Sequence, residues 1–484
     1  MSSIKKNFIY NNILGVTNII IPLISFPYIS RVLGPEGVGI TSFAISLAVT
    51  FIVLGSLGIP IYGIREIAKS RGDKTKLSNA FLELLIIEIT WSLFVTLIYA
   101  CWLFFTNTYQ NENAIKYLSF IHIMSSVGLI NWFYQGMEKY KFISIMNFIV
   151  KIFTLILLFA LVKKIEDYWI YYAIIVISTF ISAIVSILYS FRFIQFEKIK
   201  LNFKKHFNPI IILFSTQIAI SIYVNLDVIM LKYFSQLEQV GYYSAALKIV
   251  KMLLIIVTSL GVVLIPRISS FIQENKTKEV KSLIEKSINY VSIISFPTMV
   301  ILWILSENII RLFAGIQFTE ANYLIKGLSP LIFIVGMTNI FGLQILVPMD
   351  KEKKYMIAVL IGLFTNIFFN ILLIPIIQAK GAVIATLFTE VIVLLISYYY
   401  SKKLISFSLS KNGSLKYLLL SLLFVPLSMI LSKIINNEAL YLFVFIALCV
   451  VIYTLALLKF KDSFFMNYIF NPIYNNLMFY RSKT

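Results

Sequence analysis

The chain has 484 residues, of which 59% are hydrophobic and 13% charged; 42 Lys and Arg stand against 22 Asp and Glu, a net charge of +20. That composition excludes an ordinary soluble domain, in which about a quarter of residues are charged. The positive excess does not point to nucleic acid either. It is concentrated in short segments between long apolar stretches, where basic residues set topology and meet anionic headgroups.

About 20 apolar residues cross the hydrocarbon layer as a helix, and stretches of that kind recur about fourteen times. In chain order, helices are expected near 8–29, 38–60, 79–105, 115–136, 143–162, 169–195, 209–234, 241–265, 287–305, 321–347, 356–378, 381–401, 415–435 and 439–459. The first follows Lys5 and Lys6 and carries no small-residue cleavage site, so an uncleaved helix is expected rather than a signal peptide. The tail beyond Lys459, with Phe465, Tyr468, Phe470, Tyr474 and Tyr480, is expected at the cytoplasmic interface as an aromatic belt.

Loops alternate in charge. Lys5–Lys6, Arg65–Lys76, Lys139–Lys141, Arg192–Lys205, Arg267–Lys286, Lys351–Lys354, Lys402–Lys416 and Lys459–Lys483 together hold 30 of the 42 basic residues. The opposite set, helix ends included, holds nine, and Lys151, Lys248 and Lys251 fall inside apolar spans. Because cytoplasmic loops carry the Lys and Arg, the expectation is a multi-pass bacterial inner-membrane (cytoplasmic-membrane) protein with both termini cytoplasmic. Loops on the lysine-poor side are short, the longest near Ser306–Glu320, which leaves no room for an inserted soluble domain.

An internal repeat divides the chain. Leu33-Gly-Pro-Glu-Gly-Val-Gly39 leads into Ser42, Ala44 and Ser56-Leu-Gly58; about two hundred residues later Gln239-Val-Gly241 leads into Ser244, Ala246 and Ser259-Leu-Gly261. The expected fold is all-α and polytopic, with two pseudo-symmetric six-helix lobes and two further helices at the C-terminal end. The expected boundaries are 1–205 for helices 1–6, 206–403 for helices 7–12, and 404–484 for helices 13–14 and the tail.

Charged side chains within a span are expensive, so they face a cavity or a partner. Ser144, Asn147, Lys151 and Thr154 recur at helical spacing on one stripe, and Ser244, Lys248, Lys251 and Thr258 do the same in the other lobe. Two lysine-centred polar stripes are expected to line a wet cationic cavity for an anion; the alternative is polar glue between helices. Asp227 lies at the depth of Lys248 and could pair with it. Glu88 and Glu390, also deep in their spans, are candidates for a coupling cation, a proton or an ion pair. His122 is expected to be a packed polar residue. Pro22, Pro27, Pro297 and Pro375 fall where moving helices could bend.

Chemistry in the catalytic sense is not visible. The sequence carries no phosphate-cradling glycine loop and no Ser/His/Asp set outside the spans. Cys101 and Cys449 lie in apolar helices, and with His122 and His206 the only histidines, neither a disulfide framework nor a metal centre is expected.

Several segments resemble the Wzx-type polysaccharide repeat-unit flippases of the multidrug/oligosaccharidyl-lipid/polysaccharide (MOP) exporter superfamily. They are Tyr28-Ile-Ser-Arg31-Val-Leu-Gly-Pro-Glu-Gly-Val-Gly39, Gly58-Ile-Pro-Ile-Tyr-Gly-Ile-Arg65-Glu66-Ile-Ala-Lys69, Asn131-Trp-Phe-Tyr-Gln-Gly-Met-Glu138, and Lys380-Gly-Ala-Val-Ile-Ala-Thr386 through Glu390. One departure is Gly58, after Ser56-Leu57, where an acidic residue would be expected.

The resemblance implies a MATE-like fold and a non-enzymatic transporter with no cofactor beyond a proton or sodium gradient. It would move undecaprenyl-diphosphate-linked oligosaccharide from the cytoplasmic to the outer leaflet for O-antigen or capsule synthesis. Expected partners are that lipid-linked oligosaccharide, membrane lipids and a polysaccharide polymerase with its chain-length machinery; nucleic acid is not one. Lys151, Lys248, Lys251, Asn147, Ser144, Ser244 and Arg31 are the expected diphosphate and sugar ligands. Rival readings are a lipid II flippase, a MATE-like cation-coupled exporter and, in another class, a membrane polysaccharide polymerase or ligase.

Overall fold

A computed structural model describes residues 2–106, 108–109, 112–195, 201–407 and 414–471. Tyr474 and Tyr480 of the expected interfacial tail lie outside them, as do the loop cations Lys198, Lys200, Lys411, Arg481 and Lys483. Regular structure among the described residues is entirely helical. In chain order the helices are α1 (Ser2–Ser56), α2 (Ile59–Ser70), α3 (Lys74–Phe105), α4 (Asn113–Ser126), α5 (Asn131–Gly136), α6 (Tyr140–Leu161), α7 (Tyr168–Ser190), α8 (Lys204–Phe234), α9 (Leu237–Gln273), α10 (Thr277–Ala314), α11 (Asn322–Leu328), α12 (Leu331–Thr338), α13 (Glu352–Ile377), α14 (Ala379–Lys402), α15 (Ser414–Ser421), α16 (Phe424–Ile434) and α17 (Glu438–Lys459).

Among the described residues, eleven helices are long and apolar enough to cross a membrane, and twelve if the segment Ile316–Leu346, bent by 45°, is one span. The count of fourteen is not established on this criterion, for physical reasons. The first two expected spans run together in α1, which leaves helical geometry only at Gly34, with φ 65° just ahead of Pro35. Glycine enters that left-handed region without steric cost, and proline resumes the helix. The expected span at 209–234 lies within α8, which is 31 residues long but is not among the eleven.

By packing, the chain forms two compact units, residues 1–244 with 370–379, and residues 245–369 with 380–484. The first unit is centred on Ile59, Phe81, Leu84, Ile130, Trp132, Phe133 and Tyr134, all almost fully withdrawn from solvent. In the second, α16 and α17 pack on α10 through Val300, Leu305, Phe424, Phe445 and Cys449. Below them the buried Asp462 takes Lys416 as an ion-pair partner and Tyr417 as a hydrogen-bond donor.

The two copies of the internal repeat meet within the first unit. A methyl group added at Gly39 would stand 2.0 Å from the Leu237 carbonyl oxygen, and one added at Gly241 would stand 2.0 Å from the Pro35 carbonyl oxygen. Gly39 and Gly241 occupy matching places in the repeat, and so do Pro35 and Leu237. Each segment therefore presents to the other the surface it receives, the signature of a two-fold contact. Only glycine permits backbones to approach this closely. Just beyond the crossing, Tyr233 meets Phe43 edge to face at 6.0 Å and Thr108 by a hydrogen bond of 2.9 Å.

Candidate functional site

Helix α3 begins at Asp73, whose Oδ1 accepts from the backbone N–H of Thr75 (2.9 Å) and Lys76 (3.1 Å) and so satisfies two orphan donors of the first turn. At about 1.5 Å per residue, Glu88 lies roughly 20 Å along the helix from that cap, deep inside a span. It is 5% exposed. Trp132 Nε1 donates to its Oε2 at 3.2 Å. The carboxyl group borders a cavity of about 250 Å³, shared with Ser92, Ser126, Asn131, Trp132 and Gln135. Asn131 has its side-chain oxygen buried without a hydrogen-bond partner.

Two breaks in the backbone frame this cavity. α1 ends at Ser56 and the chain turns through Leu57 (φ 49°) and Gly58 (φ 74°) before α2 begins. α4 ends at Ser126, and residues 127–130 turn before α5. Gly55, Ser56 and Pro60 from the first break and Ser126, Val127 and Leu129 from the second all line it. Irregular backbone at membrane depth persists only where protein buries it or a wet cavity receives it. The turn also explains the glycine where an acid was expected. A side chain at Gly58 would be left-handed and would sit 2.8 Å from the Phe214 backbone nitrogen.

Five residues before Glu88, Glu83 is 1% exposed but fully engaged. Its Oε1 accepts the Asn202 N–H at 2.6 Å, and its Oε2 lies 2.8 Å from Lys205 Nζ and 2.8 Å from His206 Nε2. On its far side, His206 Nδ1 lies 2.8 Å from Tyr62 Oη. Burial, aided by the charges of Glu66 and Glu83, pushes the Tyr62 phenol up to about 12. Tyr62 therefore stays protonated and can donate to Nδ1, which leaves Nε2–H to donate to Glu83. Here His206, noted in the sequence only as too isolated for a metal centre, holds α2, α3 and the start of α8 together.

The other expected ligands fall as follows. On α6, Ser144 is buried and Lys151 half-buried, while Asn147 donates to the Ile143 carbonyl at 2.8 Å. Thr154, at the end of that stripe, pairs with Ser178 of α7 at 2.7 Å, so there the stripe joins two helices. On α9, Lys248 and Ser244 are half-buried and Lys251 is exposed. Lys151 belongs to the first compact unit, Lys248 and Lys251 to the second. Arg31 is exposed and donates to the Pro27 carbonyl at 2.7 Å.

Asp227 is buried with two neutral donors, Tyr243 Oη at 2.6 Å and Asn370 Nδ2 at 2.7 Å. Glu390 is half-buried on α14. His122 packs against Tyr172, 3.2 Å from its hydroxyl. A larger hollow of about 720 Å³ between α6 and α7 has apolar walls of Phe142, Ile145, Met146, Ile149, Ile181 and Val185, with Glu138, Lys139 and Lys141 also on its lining. At 100° per residue it occupies the face of α6 opposite Lys151.

No group of three His, Cys, Asp or Glu side chains that could hold a metal ion occurs among the described residues. Of the buried acids of the first unit, Glu88 borders a cavity of mixed polar and apolar lining between two interrupted helices.

The family model described as "Polysaccharide biosynthesis protein" matches residues 4–272, and the chain belongs to that family; the MatE model matches residues 209–372. Among curated relatives, a candidate O-antigen transporter of Escherichia coli (strain K12) is 25% identical over 83% of this chain and 98% of its own length. Among solved structures, a lipid II flippase MurJ in an inward-closed conformation superimposes with a TM-score of 0.65 at 18% identity, covering 96% of this chain and all of that one. An inward-facing MATE-family multidrug transporter of the MOP superfamily gives 0.60 at 12% identity, over 81% and 94%. The fold is of the MOP transporter type.

Proposed function

We infer that this protein is a membrane transporter and not an enzyme. It is a flippase that carries lipid-linked oligosaccharide repeat units across the membrane for surface polysaccharide synthesis. The observation that carries this reading is membership of the polysaccharide biosynthesis family combined with similarity over 83% of the chain to a candidate O-antigen transporter. The fold, shared with a lipid II flippase over 96% of the chain, supports it.

On this reading the carrier lipid is undecaprenyl diphosphate, the lysine-rich loops and both termini face the cytoplasm, and the repeat unit is delivered to the outer leaflet for a polymerase. Lys151, Lys248 and Lys251 bind the diphosphate, with Ser144, Asn147, Ser244 and Arg31 as hydrogen-bond partners for phosphate and sugar. Residues 1–205 and 206–403 are the two ancestral lobes, and a proton or sodium gradient drives their exchange. Such exchange requires substrate or ion to bind the two states unequally.

The test uses cells whose own copy is deleted. Lys151→Ala and Lys251→Ala, at wild-type expression, are expected to deplete surface glycan and strand single lipid-linked repeat units on the cytoplasmic face. Full surface glycan from both variants would remove the lysines from the mechanism. Accumulation of polymerised chains inside would remove the flippase.

A further inference from the structure

We propose that the hollow between α6 and α7 is a binding site for one anionic phospholipid, with its phosphate on Lys139 and Lys141 and an acyl chain in the groove below them. The site lies on the face of α6 opposite Lys151 and does not depend on the transport reading.

The walls follow from helical spacing. On α6, Phe142, Ile145, Met146, Ile149 and Val150 recur at i, i+3, i+4, i+7 and i+8; on α7, Ile181, Val185 and Tyr189 recur at i, i+4 and i+8. Each set is one continuous stripe. Ile145, Ile149 and Val185 are 44%, 60% and 39% exposed, so the groove opens on the outside of the helix pair, where apolar side chains meet hydrocarbon. Its volume of about 720 Å³ is that of pockets which enclose a small ligand.

The extent of the groove selects a lipid over a second protein chain. From Phe142 to Val150, and from Tyr189 to Ile181, the stripes extend about 12 Å at 1.5 Å per residue. With the lysines above them, that is about half of the roughly 30 Å hydrocarbon layer. One turn beyond the lining, Thr154 bonds Ser178 at 2.7 Å and pins α6 to α7, which closes the floor. A groove open through one leaflet and shut at mid-depth fits a lipid of that leaflet. A membrane helix from another copy would cross both.

The mouth has the sign that an anionic headgroup needs. Glu138 is the acid on the lining, and Arg71 already occupies it, donating from a guanidinium nitrogen to Oε1 at 2.5 Å. Lys139 and Lys141 are exposed beside it. Just past α7, the Arg192 guanidinium lies 5.3 Å from the centre of the Tyr189 ring, which adds a third cation to the rim. Helix α6 starts here and α7 ends here, so their opposite end charges offset one another and the side chains decide. Basic pockets between membrane helices take anionic lipid headgroups, and the cytoplasmic leaflet, which this one is on the orientation proposed above, is the negatively charged one.

The rim is also pre-organised. Phe142 stacks on Tyr189 with ring centres 4.1 Å apart, Tyr134 packs against Phe142 at 4.6 Å, and the Tyr134 hydroxyl donates to the Ser186 carbonyl. Aromatic side chains gather at headgroup depth, and walls already in place reduce the ordering cost of binding.

Purified full-length protein in detergent is given phosphatidylglycerol and phosphatidylcholine of identical acyl chains, and retained lipid is counted by native mass spectrometry. The wild type should retain phosphatidylglycerol in preference, and inorganic phosphate should not displace it. Lys139→Gln and Lys141→Gln should each weaken retention about fivefold. Ile149→Trp, which fills the groove, should remove the tightest site. Lys351→Gln combined with Lys353→Gln, in a lysine-rich loop of the other unit, should leave it intact. All variants should melt like the wild type in phosphatidylcholine nanodiscs, which separates lost binding from lost folding. Added phosphatidylglycerol should raise melting of the wild type and the Lys351/Lys353 control more than that of the groove variants.

Equal retention of the two lipids overturns the site, as does retention unchanged by the Lys139 and Lys141 substitutions or by Ile149→Trp. Displacement by an equal concentration of a polyprenyl diphosphate would assign the groove to a carrier lipid instead. A dimer that Ile149→Trp dissociates would assign it to a second copy of the chain, and either result overturns the proposal.

Discussion

Glu83 and Glu88 stand five residues apart on α3 and are withdrawn from solvent to nearly the same degree, 1% and 5% exposed. Their surroundings differ completely. Five residues turn a helix by about 500°, so the two carboxyls point some 140° apart. Glu83 meets the segment entering α8 and is saturated by Lys205, His206 and the Asn202 amide. Glu88 meets a hollow between two helix breaks, with Trp132 as its donor. Burial alone does not distinguish these two acids; the hydrogen-bonding capacity that Glu88 leaves unused toward a cavity does.

Substitutions that sharpen the contrast can be ranked by their effect on unfolding in detergent or nanodiscs. Glu83→Ala should cost most, about 3 kcal/mol, since it strands a buried histidine and an amide N–H together, and melting should shift down accordingly. Tyr62→Phe should cost about 1 kcal/mol by leaving His206 Nδ1 without its donor. Lys205→Met should cost less than about 1 kcal/mol, because the lysine side chain is 42% exposed and solvent screens its pairing. Glu88→Gln should leave melting unchanged, since the amide keeps the size of the side chain and an oxygen for Trp132. Glu88→Gln protein that melts many degrees lower, or Glu83→Ala protein that melts like wild type, would erase the distinction.

Much of this was legible from residue patterns. A run of about 20 apolar residues has one meaning in a membrane, which is why half of the expected spans match single observed helices within about five residues. Glu88 stood out, with Glu390, as an acid well inside an apolar stretch. Its cavity did not, because hydropathy averages across breaks: 115–136 reads as one helix, whereas the chain stops at Ser126 and restarts at Asn131. Gly128 was the available hint, since a side chain there would meet Ala183 at 2.6 Å. Asn131, Trp132 and Gln135 were visible only as parts of a family-like motif. The link between Glu83 and His206 spans 123 residues, and no local pattern announces a contact of that range. Lysine stripes were easy to see, but helical spacing cannot tell a ligand from an interhelical bond, and Thr154 is the latter.

The reciprocal approach of Gly39 and Gly241 carries a consequence for motion. Each residue is braced by the peptide that opens the other's segment, so neither brace can be released while its twin stays seated. The joint behaves as a clasp with two interlocked teeth, shut or open as a unit. Gly39→Ala and Gly241→Ala should therefore give the same defect, and the double substitution little more than either alone.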